Sequence, residues 1–218
     1  MFSSPTALAA TLELAKHGAR SQTNPAGGIG PPPQGKPHDG IGMILGVVLA
    51  GGQSSRFGSD KALAELAGHT LLARAVDLLS GWCEQVVVAG RATAPAPTLP
   101  DWPQAGMGPL GGIAAALHLA ADQGYGAVLS IGVDAPDLPD DLSALLAPAP
   151  AYLAAQPVIG LWPVSAVAAI EAILGGTGKH SMRAFAEAIG ARAVLLAADP
   201  SNINTPADLA AAEQRPPR

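Results

Sequence analysis

The densest chemistry in the chain lies in thirteen consecutive residues, Leu49-Ala50-Gly51-Gly52-Gln53-Ser54-Ser55-Arg56-Phe57-Gly58-Ser59-Asp60-Lys61, which begin where the apolar run Ile44 to Leu49 ends. A strand that empties into a loop with three glycines, an arginine and a lysine is built to hold phosphate. Glycine lets the backbone reach positive φ and bring its N–H groups close to an anion, while Arg56 and Lys61 supply charge and donors. The spacing excludes two familiar phosphate loops. Lys61 never falls beside the second glycine of a Gly-x-x-x-x-Gly-Lys pattern, and Gly51 and Gly52 are adjacent rather than spaced as Gly-x-Gly-x-x-Gly.

A second cluster is acidic. The apolar run Ala127 to Ile131 passes into Gly132-Val133-Asp134-Ala135-Pro136-Asp137-Leu138-Pro139. A site that holds phosphate commonly adds a divalent cation on the phosphate oxygens, and Mg²⁺ takes one or two protein carboxylates while keeping waters; Asp134, at a strand's carboxyl end, supplies one. Asp137 reads as a shaper of the proline turn, and Asp140 and Asp141 as caps of the next helix. A third segment, Asp101 to Ile113, ends in Gly108-Pro109-Leu110-Gly111-Gly112. Proline opening a helix beside glycines suits close approach to a bound base or ribose.

The elements that must position these loops alternate between strand and helix. Ile44 to Leu49 is followed by a predicted helix over Leu71 to Trp82, a strand Gln85 to Ala89, a helix Leu110 to Gln123 and a strand Ala127 to Ile131. The alternation predicts an α/β fold: three layers, α/β/α, around a mostly parallel sheet, with the site in the loops at the strands' carboxyl ends. Further on, Pro157 to Pro163 reads as a strand with edge-type prolines, Val164 to Leu174 as a helix, and Ser181 to Ile189 as another. Residues 1–42 read as an extension and Pro/Gly-rich linker, with the folded domain over 43–218 and Met43 a candidate start.

Composition narrows the function classes. Of 218 residues, 49% are hydrophobic and 13% charged, enough for a substantial core, and the net charge of −5 argues against a nucleic-acid surface. No apolar run reaches membrane-span length, so a cytoplasmic protein with no membrane partner is expected. The single cysteine, Cys83, reads as a core thiol, and no two of the five histidines have metal-ligand spacing.

The loop Leu-Ala-Gly-Gly-x-Ser-x-Arg-Phe-Gly-x-Asp-Lys resembles the signature of the molybdopterin nucleotidyltransferases, and in particular their guanylyltransferases. The resemblance continues through Gly-Pro-Leu-Gly-Gly, the Asp-x-Pro-x-Leu-Pro turn at Asp134 and Asn202-Ile203-Asn204-Thr205-Pro206-Ala207-Asp208-Leu209. It spans residues 44–213 in order and nothing before them. It implies a Rossmann-like, glycosyltransferase-A-like nucleotidyltransferase fold that transfers GMP from GTP to the terminal phosphate of molybdopterin. By that resemblance Arg56, Lys61 and Asp134 are catalytic. Leu49, Ala50, Gly51, Gly52, Lys61, Asp101, Gly108 and Asp134 bind nucleotide, and Asp134 holds Mg²⁺, with Mn²⁺ as a substitute. Asn202 and Asn204 either meet molybdopterin or fix the turn, and Lys179 and Arg183 either meet its phosphate or form a solvated helix start. Cofactor-biosynthesis proteins or molybdoenzyme chaperones are the implied protein partners. One departure stands out: where the family carries a nucleotide-contacting asparagine after the second strand, this chain has Ala89-Gly90-Arg91. Rival readings are a CTP-dependent relative, a sugar-phosphate transferase, and a non-catalytic nucleotide- or cofactor-binding adaptor.

Overall fold

The computed structural model describes residues 42–52, 57–178 and 180–214. The expected extension over 1–42 therefore lies outside the described residues, Gly42 excepted, and so do Arg56 and Lys179.

Strand β1 (Ile44–Leu49) is apolar throughout because helices cover both faces of the sheet. Its alternating residues divide between two cores. Ile44 and Val48 face helix α1 (Leu71–Ser80), while Leu45 and Val47 face helix α2 (Gly108–Gln123). The helical spacing of α1 places Leu72, Ala75 and Leu79 on the sheet, and each buried leucine contributes about 1.5–3 kcal/mol. Thr70 caps α1, its hydroxyl accepting the Ala73 N–H at 3.1 Å. The helix stops at Ser80, short of Trp82, whose indole N–H donates instead to the Asp140 carbonyl at 2.9 Å.

On either side of β1 lie β4 (Gln85–Ala89) and β6 (Ala127–Gly132), both parallel to it, with Val47 opposite Val87 and Ser130. Between β1 and α1 runs a two-stranded hairpin, β2 (Glu65–Leu66) with β3 (His69–Thr70), and β5 (Thr98–Leu99) adds to the outside of β4. Beyond β6 the sheet continues through β8 (Gly160–Pro163), β7 (Ala151–Leu153) and β9 (Arg192–Val194), giving the order β5-β4-β1-β6-β8-β7-β9.

Strand β8 corrects one expectation. It is not an edge strand: it pairs antiparallel with β6 and with β7, and its proline, Pro163, is tolerated because it ends the strand. Residues 157–159 precede the strand and Val164–Ala166 form a 3-10 turn, so helix α4 (Val167–Gly175) starts later than predicted. Asp141 does occupy the N-cap of the short helix α3 (Leu142–Leu146), but its side chain makes no capping bond. Helix α5 (Met182–Ala188) packs Phe185 on Trp162, with ring centres 5.1 Å apart, and α6 (Pro206–Glu213) closes the described chain. Cys83 packs against Gly46 beneath α1, where burial and then the neighbouring Glu84 push its thiol pKa up. Among the described residues no helix is long and apolar enough to cross a membrane.

Candidate active site

The carboxyl ends of β5, β4, β1 and β6 open into one cleft of about 660 Å³. Every described residue expected to bind nucleotide lines it: Leu49, Ala50, Gly51, Gly52, Lys61, Asp101, Gly108 and Asp134.

The floor is set by contact between two backbones. Gly90, just past β4, has φ +83°, and a Cβ there would lie 2.5 Å from Gly51 Cα. Gly51 is glycine for that approach rather than for a positive φ; within the loop, positive φ occurs at Gly58 (+75°). On the other side, Cβ atoms at Gly111 and Gly112 would strike Met107, Asp101, Leu49 and Ala89, so α2 can sit against the strand ends only with glycine at both. Asp101, at the base of α2, accepts the Gly106 N–H on Oδ2 at 3.2 Å. Its neighbour Trp102 lies 5.0 Å from the ring of His118, which in turn sits 3.1 Å from the Glu171 carboxylate.

The charged residues are brought together over long sequence distances. Asp60 caps the 3-10 turn Lys61–Leu63, accepting the Ala62 N–H on Oδ1 at 3.1 Å. From that turn the Lys61 ammonium reaches Asp134 Oδ2 at 3.3 Å and Asn204 Oδ1 at 3.4 Å. Lys61 is 15% exposed and Asp134 27%, so the pair stands at the cleft wall, partly shielded from water. The Asp134 turn is tied to the Asn-x-Asn segment twice. The Ile203 N–H donates to the Asp134 carbonyl at 2.9 Å, and Ser201 donates to the Asp137 carboxylate, the turn-shaping role expected of Asp137. Asp208 locks the start of α6 in a capping box with Thr205 and also accepts the Asn204 N–H at 2.9 Å. Those N–H donors, Asn204 first, hold its carboxyl below the ordinary range.

Not every expected residue joins the cleft. Asn202 is exposed and does not line it, and Arg183 stands exposed on α5, away from the lining; Arg56 and Lys179 lie outside the described residues. Conversely, Asp60 and Arg91 line the cleft without having been expected there. The Arg91 guanidinium forks onto the Asp60 carboxylate, Nη1 to Oδ1 at 3.0 Å and Nη2 to Oδ2. Hydrogen bonding from Arg91 holds the Asp60 carboxyl below its ordinary range against partial burial, and the same bond raises the arginine. A cation two residues past the carboxyl end of a parallel strand was the signal for Arg91, and the acid before Lys61 the signal for Asp60.

A glycine loop after the first strand, a lysine on a carboxylate at the end of a neighbouring parallel strand, and a helix opening on the same cleft define a nucleotidyltransferase-class α/β protein. The comparisons narrow this. The MobA-like NTP transferase domain matches residues 46–194. The molybdenum cofactor guanylyltransferase of Acidiphilium cryptum is 43% identical over 185 residues, 78% of this chain and 94% of that one. That of Rhodobacter capsulatus is 39% identical, over 79% and 96%. In fold the chain is similar to molybdopterin-guanine dinucleotide biosynthesis protein A from Archaeoglobus fulgidus, at TM-score 0.60 and 22% identity over 78% of this chain and 97% of that one. The chain belongs to the MobA-like NTP transferase family.

Proposed function

We propose that this protein is a molybdenum cofactor guanylyltransferase, transferring GMP from GTP to the terminal phosphate of molybdopterin, with molybdenum already inserted. The observation that carries this reading is the Lys61 ammonium seated against Asp134 and Asn204 in a cleft built at the strand ends. The curated relatives at 39–43% identity, each named for this activity, support it.

In the proposed reaction a phosphate oxygen of the acceptor attacks the α-phosphorus of GTP in line. The bond from that phosphorus to the bridging oxygen breaks, and pyrophosphate leaves with the electron pair. The backbone of Leu49 to Gly52 holds the nucleotide, Asp101 and Gly108 bound it on the α2 side, and Lys61 with Arg56 neutralises the triphosphate. Positioning and charge neutralisation supply the acceleration, with no covalent intermediate on the protein.

The donor set suits a hard divalent cation. Lys61 already places a positive charge between two oxygen donors, Asp134 Oδ2 and Asn204 Oδ1. Among the described residues no group of three or more His, Cys, Asp or Glu could form a closed cage, which leaves the open, one-carboxylate arrangement that Mg²⁺ accepts when phosphates and water complete its shell. Asp134 would hold Mg²⁺, or Mn²⁺ in its place, and the ion would offset charge on the phosphates. Of the described residues that the resemblance assigns to molybdopterin, Asn204 is the one that meets Lys61, and its side-chain amide would contact the acceptor. We place the enzyme in the cytoplasm, where cofactor-biosynthesis proteins or molybdoenzyme chaperones would exchange substrate and product with it.

The test is pyrophosphate release by purified protein with Mg²⁺ and a molybdopterin acceptor, comparing GTP, CTP, ATP and UTP. Acceptor-dependent release with GTP alone is expected. Release with CTP would move the assignment to a cytidylyltransferase, and binding without turnover for all four would favour an adaptor.

A further inference from the structure

Arg91 lies 30 residues beyond Lys61 in sequence and on a different loop, yet the two are joined through Asp60. Asp60 Oδ1 accepts from two donors at once, the Ala62 N–H at 3.1 Å and Arg91 Nη1 at 3.0 Å, while Oδ2 takes the second arm of the fork. The carboxylate therefore caps the 3-10 turn that starts at Lys61 and ties that turn to the end of β4. The far end of the tether is anchored by contact: Gly90 lies against the Gly51 backbone and its N–H donates to the Leu99 carbonyl at 3.4 Å. Lys61 leaves the capped turn in the other direction, toward Asp134 and Asn204. A line of polar contacts thus crosses the cleft mouth from β4 to β6, with Asp60 and Lys61 as its middle members.

We propose that Arg91 is a positioning residue: by holding Asp60 it fixes the capped turn and so aims the Lys61 ammonium at the reacting phosphates. This rests on the nucleotidyltransferase reading, in which Lys61 serves the triphosphate. The geometry favours arginine over lysine at position 91, because only a planar fork engages both carboxylate oxygens and leaves Oδ1 its second acceptance from Ala62. Lysine would keep the charge and lose the fixed direction. Asp60 is 42% exposed and Arg91 18%, so the pair orients the turn without carrying the stability of the fold.

The test is a double-mutant cycle on the full chain, reading kcat/KM for GTP and the melting temperature of each variant. Arg91→Ala is expected to lower kcat/KM about 5-fold with little change in melting temperature, and Lys61→Ala about 100-fold. In the Lys61→Ala background Arg91→Ala should cost less than about 2-fold, because the group it aims is gone. Arg91→Lys should recover only part of the loss, and Asp60→Asn should reproduce the Arg91→Ala effect through a different residue if Arg91→Ala folds poorly. Additive losses in the cycle would overturn the proposal, since they would mean that Arg91 acts independently of Lys61. A loss of GTP affinity in Arg91→Ala that persists undiminished in the Lys61→Ala background would also overturn it, by making Arg91 a direct contact to the nucleotide. Wild-type turnover with GTP tests the nucleotidyltransferase reading separately: its absence defeats that reading, whereas additivity in an active enzyme defeats only the role of Arg91.

Discussion

Replacing Gly90 by alanine isolates the contact on which the cleft floor depends. The added Cβ would stand 2.5 Å from Gly51 Cα and 2.7 Å from Gly51 N, distances no real Cβ adopts, and both opposing atoms are backbone just past the end of β1, held close to β4 by the Ala50 N–H donating to the Ala89 carbonyl at 3.0 Å. No side chain can swing aside. The left-handed backbone at φ +83° adds about 1–2 kcal/mol for any residue with a Cβ, and forcing β1 and β4 apart at their ends adds about 1–3 kcal/mol. A total near 3 kcal/mol is a large part of the roughly 5–15 kcal/mol that holds such a domain, and lowers the melting temperature by about 6–12 °C in a chain of this size. The separated strand ends should also raise KM for GTP, since the loop backbone no longer meets the nucleotide in register. Gly52→Ala is the matched control, because an added Cβ there meets nothing within 4 Å and the backbone is not left-handed; its melting temperature should match the wild type. Thermal unfolding of the two variants side by side decides the matter, and a Gly90→Ala protein as stable as Gly52→Ala would refute the reasoning.

Other expectations are as direct. Lys61→Ala should lower pyrophosphate release with the fold intact, and Asp134→Asn should lower it most; wild-type rates in either purified variant would remove that residue from the mechanism. Ser130 accepts the buried Trp162 indole N–H at 2.8 Å and donates to the Val158 carbonyl at 2.6 Å. Ser130→Ala should therefore cost about 1–3 kcal/mol in urea unfolding by stranding the indole donor, and Trp162→Phe on top of it should cost less than it does alone. Asp60 and Asp208 both have folded pKa values below their unfolded value of 3.8, so the folded state binds fewer protons than the unfolded one. Their contribution is complete above that value and is lost as pH falls through the lowered folded values. Unfolding midpoints should fall below about pH 4, and should fall less in an Asp60→Asn/Asp208→Asn variant. A chain beginning at Met43 should fold and turn over like the full one, and loss of either property would show that residues 1–42 contribute to the domain.

Much of this protein was legible as sequence because its main signals are local. An apolar β-branched run buried on both faces, a loop with adjacent glycines behind it, and an aspartate behind the third such run occupy contiguous residues. The alternation of strand and helix then implies that all three strand ends share one edge. Helix α1 could be read for the same reason: its leucines recur at helical spacing, and its cap, Thr70, is next to it in sequence. The short strands could not be read this way. β2, β3 and β5 are two residues each and β7 and β9 three, too short for a periodic pattern, and they exist because a neighbouring strand completes their hydrogen bonds. The antiparallel insertion of β8 between β6 and β7, which makes a proline-bearing segment internal, is likewise a property of the assembled sheet.

The sequence by itself determined which groups are available to chemistry: a phosphate-holding loop, a lysine, a strand-end aspartate and a glycine-rich helix start. Only the tertiary structure decided how they meet. Lys61 finds Asn204 across 143 positions, and Arg91 finds Asp60 across 31. No local pattern encodes such pairs, because each depends on the order in which β4, β1 and β6 lie side by side and on two glycine backbones touching between them.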